Sequence, residues 1–203
     1  MAGRGVPDRI GKPLVWIAAA SPLAWLVFRT LTGRLGVNPI ETLTHFTGLT
    51  TLVVLLVTLS ITPLRRLTGW NGLIRYRRLV GLWAFTYALL HFLVWGLFDH
   101  QFSLATITED VVERPFITVG FTAFLILIAL AVTSPKAMVR RLGGKNWQRL
   151  HRLVYVAAGL GVVHYLWGVK VITAQPVAFA VALGVLLAAR FVPGRKRARD
   201  AAG

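Results

Sequence analysis

Six long apolar runs, each closed off by a short polar segment, set the layout of this chain. They cover residues 14–31, 44–62, 77–98, 115–133, 149–169 and 176–192. A helix needs roughly 17 to 25 apolar residues to cross about 30 Å of hydrocarbon, and every run falls in that window. The polar positions between runs carry helix punctuation, with Asn38-Pro39, Thr62-Pro63, Ser134-Pro135 and Gly143-Gly144 each at an expected boundary. Inside the first run Pro22 lacks a backbone donor, so a kink is expected there. Basic residues precede that run, but no A-x-A site follows a completed apolar core, and it reads as a retained helix rather than a cleaved leader. The expected fold is all-α: an integral membrane bundle of six transmembrane helices forming a single domain over 1–203, with no room for a soluble domain.

Composition agrees, with 56% hydrophobic and 15% charged residues in 203 and a mean hydropathy of +0.65. Charge adds orientation. The net charge of +16 comes from basic residues concentrated on one side of the alternating crossings. That side holds Arg4, Arg9, Lys12, Arg65, Arg66, Arg75, Arg77 and Arg78, then Lys136, Arg140, Arg141, Lys145, Arg149 and Arg152, and finally Arg190, Arg195, Lys196, Arg197 and Arg199. The other side has only Arg29, Arg34, Arg114 and Lys170, together with five of the seven acids: Glu41, Asp99, Glu109, Asp110 and Glu113. The positive-inside rule therefore places both termini in the cytoplasm. Basic loops flanking apolar spans are read as topology signals and contacts to membrane lipids, with no nucleic acid implied. Cysteine is absent, which excludes disulfides, iron–sulfur clusters and zinc–thiolate sites. Trp70 and Trp147 near the inner interface, and Trp95 and Trp167 near the outer one, fit aromatic belts. Ala157, Ala158, Gly159 and Gly161 allow close approach of a neighbouring helix or of a flat ligand.

The candidate chemistry lies in two histidines within the apolar runs, His91 and His164. An ionisable group in hydrocarbon is costly and by default faces the bundle interior with a partner. His91 lies seven residues before Phe98, about 10 Å from the outer end, and His164 five residues before Val169, about 8 Å from it. Two histidines at matching depth on different helices suit the axial positions of six-coordinate haem iron, which carries electrons and leaves no open site. The alternative is a pair of interior histidines bonded to backbone or water. His151 stands at the inner mouth of the fifth run, 13 residues from His164. On one continuous helix that is about 20 Å and a rotation of roughly 140°, so one haem cannot use both. A second haem, a flavin or quinone head group, or the wet interface itself would account for it. His45 and His100 are expected to be solvated.

The segments ITPLRRLTG (61–69), RYRRLVGLWAFTYALLHF (75–92) and NWQRLHRLVYVAAGLGVVHY (146–165) resemble the MsrQ family, within the wider ferric-reductase-like transmembrane haem proteins. The resemblance covers nearly all of the chain and maps the family's motif histidines onto His91, His151 and His164. It implies haem b held by His91 and His164, an inner cofactor site at His151, and a flavin mononucleotide (FMN). It also implies a multi-pass protein of the bacterial inner membrane that takes electrons from quinol or a cytoplasmic flavin reductase. Its periplasmic partner would be MsrP, a molybdenum-containing reductase that repairs oxidised methionines, with the substrate chemistry on that partner. Two-haem members of the wider group have a histidine pair on each of two helices, 13 or 14 residues apart. Here Arg77 and Arg78 occupy those positions before His91, and arginine stays protonated and cannot ligate iron. The inner site thus lacks an evident second ligand, which favours one haem plus FMN, whose phosphate the basic face of Arg77, Arg78, Arg149 and Arg152 would attract. Two rivals stay open: direct reduction of ferric chelates or quinones, and a transporter whose histidines relay protons. The second is weakened because no Asp or Glu falls in the six runs.

Overall fold

A computed structural model of the chain describes residues 8–169, 171 and 173–191. Of the residues invoked above, Arg4, Lys170, Val192, Arg195, Lys196, Arg197 and Arg199 lie outside the described residues. The described residues form helices and no strands. In chain order these are α1 (Asp8–Leu31), α2 (Pro39–Thr68), a 3₁₀ turn (Asn71–Tyr76), α3 (Arg77–Phe98), α4 (Leu104–Glu113), α5 (Pro115–Val132), α6 (Lys136–Leu142), α7 (Gly144–His151), α8 (Val154–Gly168) and α9 (Ala174–Ala188). Four stretches are long and apolar enough to cross a membrane: Arg9–Leu31, Pro39–Thr68, Asn71–Phe98 and Pro115–Val132. The last two helices, α8 and α9, have 15 residues each, about 22 Å of rise, less than the hydrocarbon thickness.

The run at 77–98 coincides with α3, and the fourth run with α5 apart from its last residue. The fifth run does not form one rod. It divides into α7 and α8 at Arg152 and Leu153, where Leu153 N–H donates to Leu150 O and Tyr155 N–H to Arg152 O. These three-residue bonds tighten the turn and interrupt the α-helical ladder. The spacing of His151 from His164 along a single helix therefore does not apply.

Prolines mark two places where the backbone needs help. Pro22 leaves Ala18 O without its helical donor, and the Ser21 hydroxyl donates to it instead at 2.9 Å. One residue on, the direct Leu23-to-Ala19 bond is replaced by an insertion. Leu23 N–H donates to Tyr87 Oη at 3.1 Å, and Tyr87 O–H donates to Ala19 O at 2.7 Å. Tyr87, on α3 and fully buried, thereby clasps α1 at its proline. Pro63 was expected to end the second helix, yet α2 continues through it to Thr68. The carbonyl it orphans is Leu59 O, and Arg190, just beyond α9, donates Nη2–H to it at 2.9 Å. Arg190 also donates to Tyr155 Oη on α8 at 2.6 Å and accepts on its own carbonyl from Arg66 Nη1 at 2.6 Å. One arginine so closes a gap in α2 while tying together the ends of α2, α8 and α9.

Around these clasps α2 packs along α3, α5 along α8, and α3 meets α5. The core between them holds Leu52, Leu55, Leu59, Ala84, Phe124, Leu127, Ala157 and Ala158.

Removing either clasp strands backbone groups that cost about 1 to 3 kcal/mol when buried and unpaired. Tyr87→Phe and Arg190→Met are each expected to lower the apparent Tm in detergent micelles. Ser60→Ala, which removes an exposed hydroxyl bonded within its own helix to Val57 O, should leave it unchanged.

Candidate cofactor site

Two cavities of about 350 and 330 Å³ lie between α2, α3, α5 and α8. Leu55 on α2 and Leu127 on α5 line both, so the cavities meet at these two side chains. The first cavity contains His91 and His164, and the second contains His151, Arg77 and Arg78.

His91 and His164 face each other with ring centroids 6.2 Å apart and planes at 75°. Their tautomers follow from their partners. His91 Nδ1–H donates to Thr44 O at 3.0 Å, with the Thr47 hydroxyl oxygen at 3.3 Å as a second acceptor, its own proton given to Leu43 O. His164 Nδ1–H donates to Phe116 O at 2.7 Å. A carbonyl only accepts, so Nδ1 carries the proton on both rings and each Nε2 keeps its lone pair, with no hydrogen-bond partner among the described residues. A second-nitrogen bond of this kind orients a metal-binding imidazole. Two such rings on opposite sides of one metal, each bonded at about 2 Å, would have centroids roughly 6 Å apart. The pair therefore fits an iron between them.

The local sequence makes this approach possible. A Cβ built on Gly120 would fall 2.6 Å from His164 Nδ1, and one on Gly48 would fall 3.0 Å from His91 Cε1. Both glycines stand four residues after the carbonyl that the histidine bonds: Thr44 before Gly48 on α2, and Phe116 before Gly120 on α5. A helical side chain covers the turn N-terminal to its own Cα, so a glycine there uncovers the carbonyl beneath. Sequence reasoning missed both residues, although an isolated glycine inside an apolar helix, at a cost of about 1 kcal/mol against alanine, is itself a signal. Of the small residues of α8, Ala157 and Gly161 line the first cavity, and Ala157 and Ala158 are buried in the core.

The second cavity is built differently. His151 ends α7, a polar helix outside the long apolar stretches, with Trp147 stacked on its ring at 3.9 Å. His151 Nε2 lies 3.1 Å from Thr133 Oγ1, whose proton goes to Ala129 O, so the imidazole donates from Nε2. Trp147 Nε1–H bonds Thr133 O at 2.8 Å, giving this tryptophan a specific structural part beyond an aromatic belt. Arg77 and Arg78 line this cavity; Arg149 and Arg152 are exposed and do not. The histidine and the guanidinium pair suit a neutral donor atom beside an anionic group.

Two histidines outside the runs also have definite places. His45 is 64% exposed, as expected, and lines the first cavity, the one with His91 and His164. His100 was expected to be exposed, and here the structure corrects the reading: its side chain is only 10% exposed, 3.1 Å from Asp110 and edge-on to Trp95, with ring centroids 4.6 Å apart. The chain after it turns back through two left-handed residues, Gln101 and Phe102, and forms α4, which covers His100.

Residues 43–162 match the family model for the ferric reductase like transmembrane component. The chain is 53% identical to the protein-methionine-sulfoxide reductase haem-binding subunit MsrQ of Herminiimonas arsenicoxydans, over 93% of this chain and 88% of that protein. It is 50% identical to the MsrQ of Rhodospirillum rubrum, over 95% and 93% of the two chains. The MsrQ of Deinococcus radiodurans is 46% identical over 94% of each chain.

The glycine arrangement orders three substitutions. Gly120→Ala is expected to lower the apparent Tm most, Gly48→Ala less, and Gly159→Ala, with open space around it, not at all. Thermal unfolding of the three variants side by side checks the order.

Proposed function

We propose that this chain, which belongs to the MsrQ family of haem-binding subunits of protein-methionine-sulfoxide reductases within the ferric-reductase-like transmembrane proteins, carries electrons across a bacterial inner membrane to a periplasmic reductase. The observation that carries the reading is the His91–His164 pair, fixed by two backbone carbonyls with both Nε2 atoms free. The two rings would hold haem b through their Nε2 atoms. Held by both, haem would supply one-electron transfer and leave no open site for a substrate. Substrate chemistry then belongs to the partner, MsrP.

The inner cavity is the entry side, supplied by quinol or a cytoplasmic flavin reductase. His151 presents its ring there, and Arg77 and Arg78 attract the phosphate of FMN. Arg149 and Arg152, exposed near the same end, contact lipid headgroups. The topology is six crossings with both termini in the cytoplasm. The segregation of charge supports it: Arg66, Arg77 and Arg190 gather where α2 ends and α3 begins, while Glu41 and Asp99 stand at the opposite ends of those helices.

Substitution separates the two ends. His91→Ala and His164→Ala are each expected to abolish the sharp reduced bands of a six-coordinate haem in the optical spectrum, and retention of those bands in both variants would sink the ligand assignment. His151→Ala should keep them. Flavin released from purified protein should fall in the Arg77→Ala, Arg78→Ala double variant; flavin content equal to wild type would remove FMN from the inner cavity.

A further inference from the structure

At the mouth of the outer cavity, α4 and the residue after it build a charged network. Asp110 is 11% exposed and uses both carboxylate oxygens: Oδ2 accepts from His100 Nε2–H at 3.1 Å, and Oδ1 forms an ion pair with Arg114, 2.8 Å from its Nε. The Arg114 backbone N–H also bonds Asp110 O at 3.1 Å. His100 is braced in turn by Trp95, which lines the cavity together with Arg114 itself. Arg114 meets Asp110 through Nε and is 62% exposed, and its terminal amino groups have no protein partner among the described residues. They stand open at the mouth of a cavity lined mainly by apolar side chains. The other ionisable groups at this opening are His45, across on α2, and Asp99, at the end of α3.

We propose that Arg114 anchors a carboxylate of the molecule held in the outer cavity, and that Asp110 and His100 are its positioning residues. On the haem reading above, on which this rests, the carboxylate is a porphyrin propionate. A carboxylate on a largely apolar ligand must leave the cavity at a polar opening or be paired, because its burial alone is costly. A guanidinium with two free amino groups meets it in a fork, which fixes direction as well as charge. The porphyrin would then sit in one orientation, with its carboxylate edge at α4.

The test compares haem with haem dimethyl ester, in which both propionates are masked, in titrations of the haem-depleted full chain followed at the Soret band. The wild type is expected to bind the ester about tenfold more weakly than haem. Arg114→Gln should lose about tenfold for haem and stay within about twofold for the ester, with Arg114→Lys between. The midpoint potential of the haem-loaded Arg114→Gln protein should fall, because a cation near the iron favours the reduced state. Equal affinity of the wild type for haem and ester, which needs no variant, would overturn the anchor. So would an Arg114→Gln loss as large for the ester as for haem, which would mean a structural part only. If the wild type takes up neither porphyrin, the haem reading itself fails and the anchor goes with it.

Discussion

A helix in hydrocarbon has no water to satisfy backbone groups that its own ladder leaves open, so every such opening must be filled by a side chain. This constraint organises the bundle. Pro22 and Pro63 each break the ladder of a long apolar helix, and the openings become joints: Tyr87 reaches from α3 into α1, and Arg190 reaches from beyond α9 to Leu59 O in α2. Lipid-soluble helices gain little from apolar association with each other, because lipid is as apolar as they are. Bonds that repair a proline gap supply the directionality that apolar packing lacks, and they fix which helix lies against which.

The histidine pair uses the same currency of carbonyls in a different way. Thr44 O and Phe116 O lie in intact helices, yet each is uncovered by a glycine one turn later and takes a second bond from an imidazole. The arrangement is repeated, with α3 against α2 and α8 against α5. One device thus does two things for each ring: it sets the tautomer and sets how closely the ring can lie against its neighbour. The histidines enter apolar surroundings with one nitrogen satisfied and the other kept for a ligand, which is how a costly group is tolerated there.

Much of this could be read along the chain, and the parts that could not share a cause. The span at 77–98 was legible at both ends because Arg77 and Asp99 bracket an uninterrupted apolar run. His91 and His164 were legible because ionisable residues deep inside such runs are rare. The continuation of α2 past Pro63 was not, since the donor that permits it is Arg190, far along the sequence. The burial of His100 depends on two non-glycine residues in the left-handed region, which no local pattern announces. The break between α7 and α8 falls in a segment whose composition suits one continuous helix, while Trp147 and Thr133 hold His151 to one side. In each case a contact distant in sequence overrode the local preference.

The two cavities differ in how their rings are held. At the outer one, two rings present unprotonated Nε2 atoms from opposite walls, and both are anchored on main chain that cannot move without unwinding a helix. At the inner one, a single ring is anchored on a threonine side chain at the end of a short helix, with guanidinium groups where a second ring would stand. The outer arrangement suits a permanently ligated metal, since substituting either ligand leaves a rigid half-site. The inner arrangement suits an anionic group that enters and leaves, since attraction by Arg77 and Arg78 acts over a distance and demands no fixed bond geometry. Leu55 and Leu127 line both cavities, so the two differently held rings belong to adjoining spaces.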